Sequence, residues 1–319
     1  MQELLRVEHL KMYWELLSGH VKAVDDISFE VKKGEALGLA GESGCGKTSA
    51  ALTILRLLPS NGRVISGSIF LDGENLLEID DEEFREEIRW KKLSVTFQGA
   101  MNALNPVMRI GDQISEPIRM HEHADKKEAL DRAGKLLDLV GVGVERLDHY
   151  PHELSGGMKQ RVVIAMSLAC NPKLVIADEP TTALDVIIQA QVLKVIDELR
   201  HRLNLSMILI SHDLSMIADT CDKVAIMYAG KIVEYGNIRS LFKETLHPYS
   251  QKLIAAFPSI LGEKQDLPTI HGFPPDLVKP PSGCRFHPRC SYAMENCKKK
   301  DPITVQASKE HYVACHLIG

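Results

Sequence analysis

The chain has 319 residues, of which 45% are hydrophobic and 25% are charged, and its formal net charge is −5. This length predicts one large domain with insertions, or two domains. No window offers about twenty consecutive apolar residues, which excludes a membrane-spanning helix. The first residues lack the basic start and apolar core of a secretory signal, and the mild acidity argues against a broad nucleic-acid interface.

The N-terminal part of the chain predicts β-structure and then a glycine-rich loop. Residues 1–40 and 64–72 indicate short strands of a small antiparallel sheet. Residues 35–40 form an apolar strand, and residues 49–58 have the apolar spacing of a helix. The loop between that strand and that helix reads Gly41-Glu42-Ser43-Gly44-Cys45-Gly46-Lys47-Thr48, and Ser49 follows it.

This loop fits the pattern GxxxxGK[ST], in which each residue type has a reason. Glycine permits the tight backbone path, and successive N–H groups then point at phosphate oxygens. Lys47 neutralises phosphate charge, and the hydroxyl of Thr48 binds magnesium. The order of strand, loop and helix therefore predicts a nucleotide-phosphate site.

The middle of the chain is predicted to be helical. Residues 78–92 are charged and indicate a solvated helix, and residues 112–170 contain little strand signal. Ser155-Gly156-Gly157 stands before the helical residues 158–169, and a helix N-terminus attracts anions through its free N–H groups and its dipole. An ordinary helix cap is the alternative interpretation of the same three residues.

A second apolar run, residues 173–180, ends in Asp178 and Glu179. Ligands gather at the carboxyl ends of buried parallel strands. Asp178 is predicted to orient the magnesium shell and Glu179 to reach the water that attacks the γ-phosphate, although an acidic pair at a solvated turn is the alternative. Strands at 173–177, 206–210 and 223–228 alternate with helices at 186–203 and 214–219, which predicts a mostly parallel core.

In their order, these motifs resemble those of the nucleotide-binding subunits of ATP-binding cassette transporters over residues 1 to about 240. In that family a glutamine contacts magnesium and the attacking water and senses the membrane subunit, an aspartate couples two sites, and a histidine contacts the γ-phosphate. The resemblance gives these roles to Gln98, Asp185 and His212. It also implies an aromatic residue that stacks on adenine, for which Trp14 fits better than Tyr13, unless Trp14 only packs under an N-terminal loop.

The final part of the chain, residues 241–319, is predicted to be a separate extension. Its His247-Pro248-Tyr249 resembles the oligopeptide, dipeptide and nickel branch of importers. Met158, which replaces the family's commoner glutamine after Ser155-Gly156-Gly157, resembles the same branch. Four of the seven cysteines lie here, and they are Cys284, Cys290, Cys297 and Cys315.

Four clustered thiols in a cytosolic chain favour a metal site over disulfides. Their chemistry allows zinc or an iron–sulfur cluster, and His287, His311 and His316 are further candidate zinc ligands. Buried free thiols are the third interpretation. The resemblance to the importer extension implies a 4Fe-4S cluster held by the four cysteines.

The resemblance implies an α/β fold: a P-loop NTPase core with a mostly parallel sheet, a small antiparallel β subdomain, a helical signature subdomain at about 112–170, and the cysteine-containing extension. It implies an ATPase that uses ATP and Mg²⁺ and powers a membrane importer, most often of di- or oligopeptides, from the cytoplasmic face of the membrane.

The implied partners are a second cassette, identical or different, two transmembrane permease subunits that dock at residues 99–108, and indirectly an extracytoplasmic solute-binding protein. Nucleic acid is not an expected partner. Two rival functions remain: a soluble cassette ATPase, and an ATPase that senses redox state or metal.

Overall fold

The computed structural model describes residues 2–97, 99, 103–182, 184–256 and 270–318. Its strands are β1 (Glu3–Leu16), β2 (Gly19–Lys32), β3 (Ala36–Ala40), β4 (Gly62–Leu71), β5 (Glu74–Asn75), β6 (Leu93–Thr96), β7 (Leu174–Asp178), β8 (Ser206–Ile210), β9 (Lys223–Tyr228), β10 (Lys231–Asn237), β11 (Val305–Ser308) and β12 (His311–Val313).

The α-helices are α1 (Lys47–Ile54), α2 (Asp81–Glu83), α3 (Ile110–Glu122), α4 (Lys126–Leu139), α5 (Gly156–Ser167), α6 (Val186–Leu203), α7 (Leu214–Thr220), α8 (Ile238–Lys243), α9 (Pro248–Ala255) and α10 (Glu295–Lys299). A π-helical turn, Phe84–Ile88, follows α2 directly, and short 3-10 turns occur at Val144–Arg146, Pro151–Glu153 and His287–Arg289.

The chain divides into two compact units. The helical unit contains Met1–Gln2, Lys32–Glu35 and Glu78–Leu209, and the β-rich unit contains Glu3–Val31, Ala36–Leu77 and Ile210–Gly319.

The β-rich unit has two groups of strands. One is an antiparallel sheet with the order β2-β1-β4-β5, in which β1 and β4 pair antiparallel with register shifts between Glu8 and Met12. The other has the order β11-β12-β10-β9-β3, where β3 and β9 run parallel and β10, β12 and β11 each add antiparallel. All residues of β3 and β9 are buried, which is why they are continuous apolar runs.

The helical unit is built on the strand order β8-β7-β6, in which β6 and β7 are parallel. Both β7 and β8 are buried along their whole length. The helix α6 has Asp185 as its N-cap and ends at Asn204 in the left-handed conformation, with basic residues in its last turn. These are the signals that start and stop a helix.

Most of the sequence-based elements are confirmed, and three differ. The N-terminal strands β1 and β2 are each 14 residues long rather than short, because each pairs along a long ladder with alternating burial. The charged segment 78–92 forms only α2 and the π turn before Arg89 becomes extended. Finally, α1 ends at Ile54, before residue 58, since Arg56 has a left-handed φ of 51°.

The helices α3, α4 and α5 occupy the predicted helical segment. Residues 241–256 and 270–318, in contrast, fall within the β-rich unit, where β12 pairs with β10. The domain boundary at residue 240 therefore stays a prediction. Among the described residues, no helix combines the length and apolarity needed to cross a membrane.

Candidate functional site

The phosphate loop connects the buried strand β3 to α1 in the β-rich unit. The helix begins at Lys47, and Gly46 before it has a left-handed φ of 110°. Ser43, Gly44 and Thr48 are exposed, so one side of the loop and the start of the helix face solvent. An anion that approaches this side meets the free N–H groups of the first helical turn.

Two glycines of the loop are required by both conformation and space. Gly41 has a φ of 146°, and a Cβ added there would lie 2.2 Å from the carbonyl oxygen of Met227. At Gly46, an added Cβ would lie 2.1 Å from the carbonyl oxygen of Ala23. Gly44 also has a positive φ, of 78°, but nothing lies within 4 Å of its Cβ position. The backbone at residues 41 and 46 thus packs closely against neighbouring backbone.

Lys47 lies inside the curve of the loop, with 6% of its surface exposed. Its Nζ donates to the carbonyl oxygens of Gly41 at 2.7 Å and Glu42 at 3.1 Å, and it lies 3.6 Å from Cys45 Sγ. Burial raises the pKa of the Cys45 thiol, which keeps that group neutral. The positive charge of the ammonium therefore stays available to a phosphate.

Trp14 contacts the helix that follows the loop. Its Nε1–H donates to Ser49 Oγ at 3.2 Å, and the ring is half-buried. Tyr13 instead donates its hydroxyl to Asp25 at 2.8 Å, and burial, with Asp25, raises the pKa of Tyr13 to about 12. Trp14 is thus the aromatic residue joined to α1, and its role towards adenine stays a prediction.

In the helical unit, β7 delivers two carboxylates at its C-terminal end. Asp178 is buried, with 4% exposure, and Glu179 is half-buried with a left-handed φ of 46°. Thr182 Oγ1 donates to Glu179 Oε2 at 2.9 Å, and the Thr182 N–H donates to the Glu179 carbonyl at 3.2 Å. Thr182 thus holds both the backbone and the side chain of Glu179 at the end of β7.

The turn after the acidic pair is fixed from α6. Gln189 Nε2 donates to the carbonyl oxygens of Thr181 at 3.3 Å and Leu184 at 3.1 Å. Asp185 Oδ1 accepts the Ile188 N–H at 3.0 Å as the N-cap of α6. Asp185 therefore has a structural task in this chain, and its coupling role stays a prediction.

The Ser155-Gly156-Gly157 segment begins α5. Ser155 Oγ accepts the Met158 N–H at 3.3 Å, so the helix-cap interpretation is correct for Ser155. A Cβ at Gly157 would lie 2.7 Å from Ile188 Cγ2, which explains the glycine by close packing of α5 on α6. Ser155 and Gly156 are exposed, and they remain free to contact an external phosphate.

The structure distributes the predicted site residues between the two units. His212 is exposed and lies in the β-rich unit with Trp14 and residues 41–49, while Asp178, Glu179, Asp185 and residues 155–157 lie in the helical unit. The prediction for Gln98 falls outside the described residues.

Comparison with known proteins places this geometry in a family. Residues 24–182 match the model of the ABC transporter family, and residues 233–297 match a model described as the oligopeptide/dipeptide transporter C-terminal region. An oligopeptide transport ATP-binding protein of Escherichia coli strain K12 is 45% identical over 302 residues, which cover 94% of this chain and 89% of the relative. This chain belongs to the ABC transporter family. The predicted family and its ATPase activity are thereby confirmed.

Further relatives and solved structures support the same family and fold. A dipeptide transport ATP-binding protein of Caldanaerobacter subterraneus is 40% identical over 99% of this chain and 98% of its own length. A solved dimeric ATP-binding cassette bound to ADP and Pi has a TM-score of 0.66 at 23% identity and covers 74% of this chain and 99% of its own. The cassette cbiO1 of Clostridium perfringens has the same TM-score at 26% identity, over 76% of this chain and 92% of its own. The predicted fold class is confirmed.

Two residues of the C-terminal region contact the phosphate loop of this ABC family member, and the sequence did not indicate them. The Tyr249 hydroxyl accepts the Glu42 N–H at 2.9 Å. Arg289 holds the Glu42 carboxylate with two hydrogen bonds, of 2.7 and 3.0 Å. These pairs are 207 and 247 residues apart in sequence, so no local spacing could have revealed them.

The four C-terminal cysteines are neighbours, with the Cys284 N–H donating to the Cys297 carbonyl at 2.8 Å, and the metal site predicted on them stays a prediction. All seven cysteines of the chain have free thiols. Burial, and then the other three cysteines of the group, raise the pKa of Cys284 to about 11. Within the part of the chain that the structure describes, however, no group of three or more His, Cys, Asp or Glu side chains is placed to hold a metal ion. Cys297 Sγ accepts the Met294 N–H at 3.5 Å.

The histidines proposed as zinc ligands are engaged elsewhere. His287 Nδ1 bonds the Cys284 carbonyl at 2.9 Å, and His311 Nε2 pairs with Glu234 at 2.8 Å. His316 bonds Asn296 through Nδ1 and the Lys300 carbonyl through Nε2. The role of these histidines as zinc ligands stays a prediction.

Proposed function

We propose that this chain is the ATP-hydrolysing subunit that powers a membrane importer of di- or oligopeptides. The observation that carries this proposal is the presence, in one chain, of the phosphate loop and of a C-terminal region that matches oligopeptide/dipeptide transporters. Two of the relatives are named oligopeptide and dipeptide transport ATP-binding proteins, which supports the same substrate class.

The phosphate loop binds the ATP phosphates in this proposal. The Lys47 ammonium and the N–H groups of the first turn of α1 offset phosphate charge. The exposed hydroxyl of Thr48 and the buried carboxylate of Asp178 are oxygen donors of the kind that magnesium prefers. Mg²⁺, when bound, neutralises the charge that develops on the phosphates. Trp14 stacks on the adenine.

Glu179 acts as the general base or positions the attacking water. Thr182 fixes the carboxylate through a hydrogen bond to Oε2. Loss of such a group commonly slows turnover by roughly 10² to 10⁴. Gln98 contacts magnesium and the attacking water, and His212 contacts the γ-phosphate.

Two cassettes are required, because the phosphate loop of one is completed by Ser155 and Gly157 of the other. ATP binding closes the pair, and hydrolysis reopens it, with Asp185 coupling the two sites. The partner cassette is a second copy or a different chain. Residues 99–108 dock to the permease subunits, which places the chain on the cytoplasmic face of the membrane, and the solute-binding protein takes part indirectly.

The test of this function is uptake of a labelled dipeptide or tetrapeptide by vesicles in which the chain, its partner cassette and the permeases are reconstituted. The wild type is expected to drive ATP-dependent uptake, while Glu179→Gln binds ATP but lowers hydrolysis and uptake together. Glu198→Gln is the matched control, because Glu198 lies in the same unit with its side chain 65% exposed. Near-normal hydrolysis by Glu179→Gln would contradict the assignment of Glu179. ATP hydrolysis without peptide uptake would favour the soluble or sensing ATPase.

We further propose that Cys284, Cys290, Cys297 and Cys315 hold a metal centre, a 4Fe-4S cluster in preference to zinc. The support is that the thiols lie close enough to perturb one another electrostatically, and four cysteine thiolates suit either centre. The test is iron, zinc and acid-labile sulfide content, with a visible spectrum, of protein purified without oxygen. Iron and sulfide in the wild type, lost in Cys290→Ser and kept in Cys221→Ser, are expected. Zinc alone would support the zinc alternative. The absence of both iron and zinc would refute the metal centre.

A further inference from the structure

Glu42, the second residue of the phosphate loop, is held by the C-terminal region of the same chain. We propose that Arg289 and Tyr249 are positioning residues that keep the phosphate loop in its nucleotide-binding shape, so that ATP affinity depends on the C-terminal region. This inference rests on the proposed function, in which the loop binds ATP.

The guanidinium of Arg289 is fully engaged. Its five N–H groups have five acceptors: the two oxygens of Glu42, the Tyr228 hydroxyl at 3.3 Å, and the carbonyls of His271 at 3.0 Å and Ile270 at 3.2 Å. The side chain is only 6% exposed. Arg289 is therefore not placed to bind phosphate itself, and it acts through Glu42.

Tyr249 fixes the backbone of the same residue. It is fully buried, and burial raises the pKa of its phenol, so its neutral oxygen accepts the Glu42 N–H. Its ring packs against Tyr228, with centroids 4.6 Å apart, and against Phe286 at 5.4 Å. Tyr228 and Phe286 also pack edge to face at 5.1 Å, and such aromatic contacts give a stiff support.

Glu42 links this support to the phosphate-binding lysine. Its N–H is bound by Tyr249, its carboxylate by Arg289, and its carbonyl by Lys47 Nζ. Because the same residue carries all three bonds, a displaced Glu42 also displaces a carbonyl that orients Lys47.

Arg289 also has an electrostatic effect at the loop. The Glu42 carboxylate is about three-quarters buried, with 24% exposure, beside a site that must accept a polyanion. The guanidinium neutralises it. Removal of Arg289 alone would leave a negative charge that repels phosphate, whereas simultaneous removal of the Glu42 charge would relieve that repulsion.

This charge relation supplies the test. Mg-ATP affinity of the purified full-length chain is measured by fluorescent-nucleotide titration, with KM and kcat for hydrolysis. We expect Arg289→Met to raise the Kd and the KM roughly tenfold with kcat changed less than about twofold, the pattern for a loss of uniform binding. The double variant Arg289→Met with Glu42→Gln is expected to recover affinity to within about threefold of wild type, a non-additive result for a coupled pair. Tyr249→Phe, which removes only the accepting oxygen, is expected to raise the Kd about threefold.

Lys231→Met is the matched control. Lys231 Nζ bonds Asp301 at 2.7 Å and so joins the segment that carries the four cysteines, residues 284–315, to β10. This partner of Lys231 lies outside the phosphate loop. The Kd of this variant for ATP is expected to equal that of the wild type. The small changes Glu42→Gln and Tyr249→Phe keep the test valid if Arg289→Met does not fold.

An unchanged Kd in folded Arg289→Met, or a double variant as weak as Arg289→Met, would overturn the proposal. In either case the wild type still binds ATP, so the proposed function survives. Failure of the wild type to bind ATP would overturn both.

Discussion

The phosphate loop and the cysteine-containing segment, residues 284–315, are held in shape by different kinds of contact. Inside the loop, Lys47 bonds the carbonyls of Gly41 and Glu42, and the Cys45 N–H bonds the Glu42 carbonyl at 3.2 Å. These partners are within six residues of each other. The loop therefore forms part of its curve from bonds among its own eight residues, and the contacts of Tyr249 and Arg289 with Glu42 are added to them.

The cysteine-containing segment depends on partners from much earlier in the chain. Arg285 bonds Asp25 and the carbonyl of Ala229, and Arg289 bonds Glu42. A local motif can thus carry binding chemistry by its sequence alone, whereas an appendage without long elements takes its shape from the surface on which it folds.

The largest loss of stability should come from replacing Arg285, which joins the cysteine-containing segment to Asp25. Its side chain is 6% exposed and that of Asp25 is 13% exposed. Removing one partner of a buried ion pair typically destabilises by about 3–5 kcal/mol. We expect Arg285→Met to lower the free energy of unfolding by this amount, seen as a lower urea midpoint. Arg63→Met, in an exposed pair with Glu15, should change the free energy of unfolding by less than about 1 kcal/mol. Equal midpoints for both variants would contradict long-range anchoring.

The next effect tests the loop. Gly46→Ala adds a Cβ 2.1 Å from the Ala23 carbonyl oxygen at a positive φ, and strain with overpacking should destabilise by about 3 kcal/mol. Gly44→Ala has the same type of φ in open space and should lose only about 1 kcal/mol. The free energy of unfolding from urea titrations checks the difference. Similar losses would mean that conformation alone, and not packing, selects these glycines.

A pH effect distinguishes the C-terminal region from the loop. Burial lowers the pKa of His247 from 6.5 to about 3, and its Nδ1 accepts the Tyr249 N–H at 3.0 Å. Below pH 6.5 the His247 imidazole therefore binds a proton in the unfolded chain but stays neutral in the folded chain. The stabilisation is present above pH 6.5 and is lost as pH falls towards 3, by about 1.4 kcal/mol per pH unit.

The check is the pH dependence of unfolding free energy in wild type and His247→Asn. Asparagine can still accept the Tyr249 N–H but does not titrate in this range. Between pH 6 and pH 4 the variant should lose less unfolding free energy than the wild type, by about 2.5 kcal/mol in total. Parallel curves would show that His247 does not control acid stability.

The smallest effect should be that of Lys231→Met. Its ion pair with Asp301 is part-exposed, with side-chain exposures of 24% and 55%, and such pairs contribute about 0–1 kcal/mol. The melting temperature should shift by only a few degrees. A loss as large as that of Arg285→Met would show that exposed pairs also anchor the segment.

The sequence predicted most elements because their signals are local. The buried runs in β7, β8 and β9 and the helix α6 lie at or within one residue of their predicted positions. The length of β1 and β2 was missed, because strand pairing across the antiparallel sheet extends them. The charged segment before Arg89 suggested a longer helix than α2, since periodicity alone does not show where the backbone turns.

For the site, the sequence by itself determined the nucleotide chemistry. The loop at 41–48 is one continuous stretch of sequence, and Asp178 and Glu179 are adjacent residues. Residue type and spacing within each motif therefore specify what it can bind. Only the tertiary structure decided that Arg289 and Tyr249 hold Glu42 and that the four cysteines become neighbours. Both outcomes depend on how segments more than 200 residues apart, or thiols in irregular turns, are oriented in space, and sequence spacing does not encode that orientation.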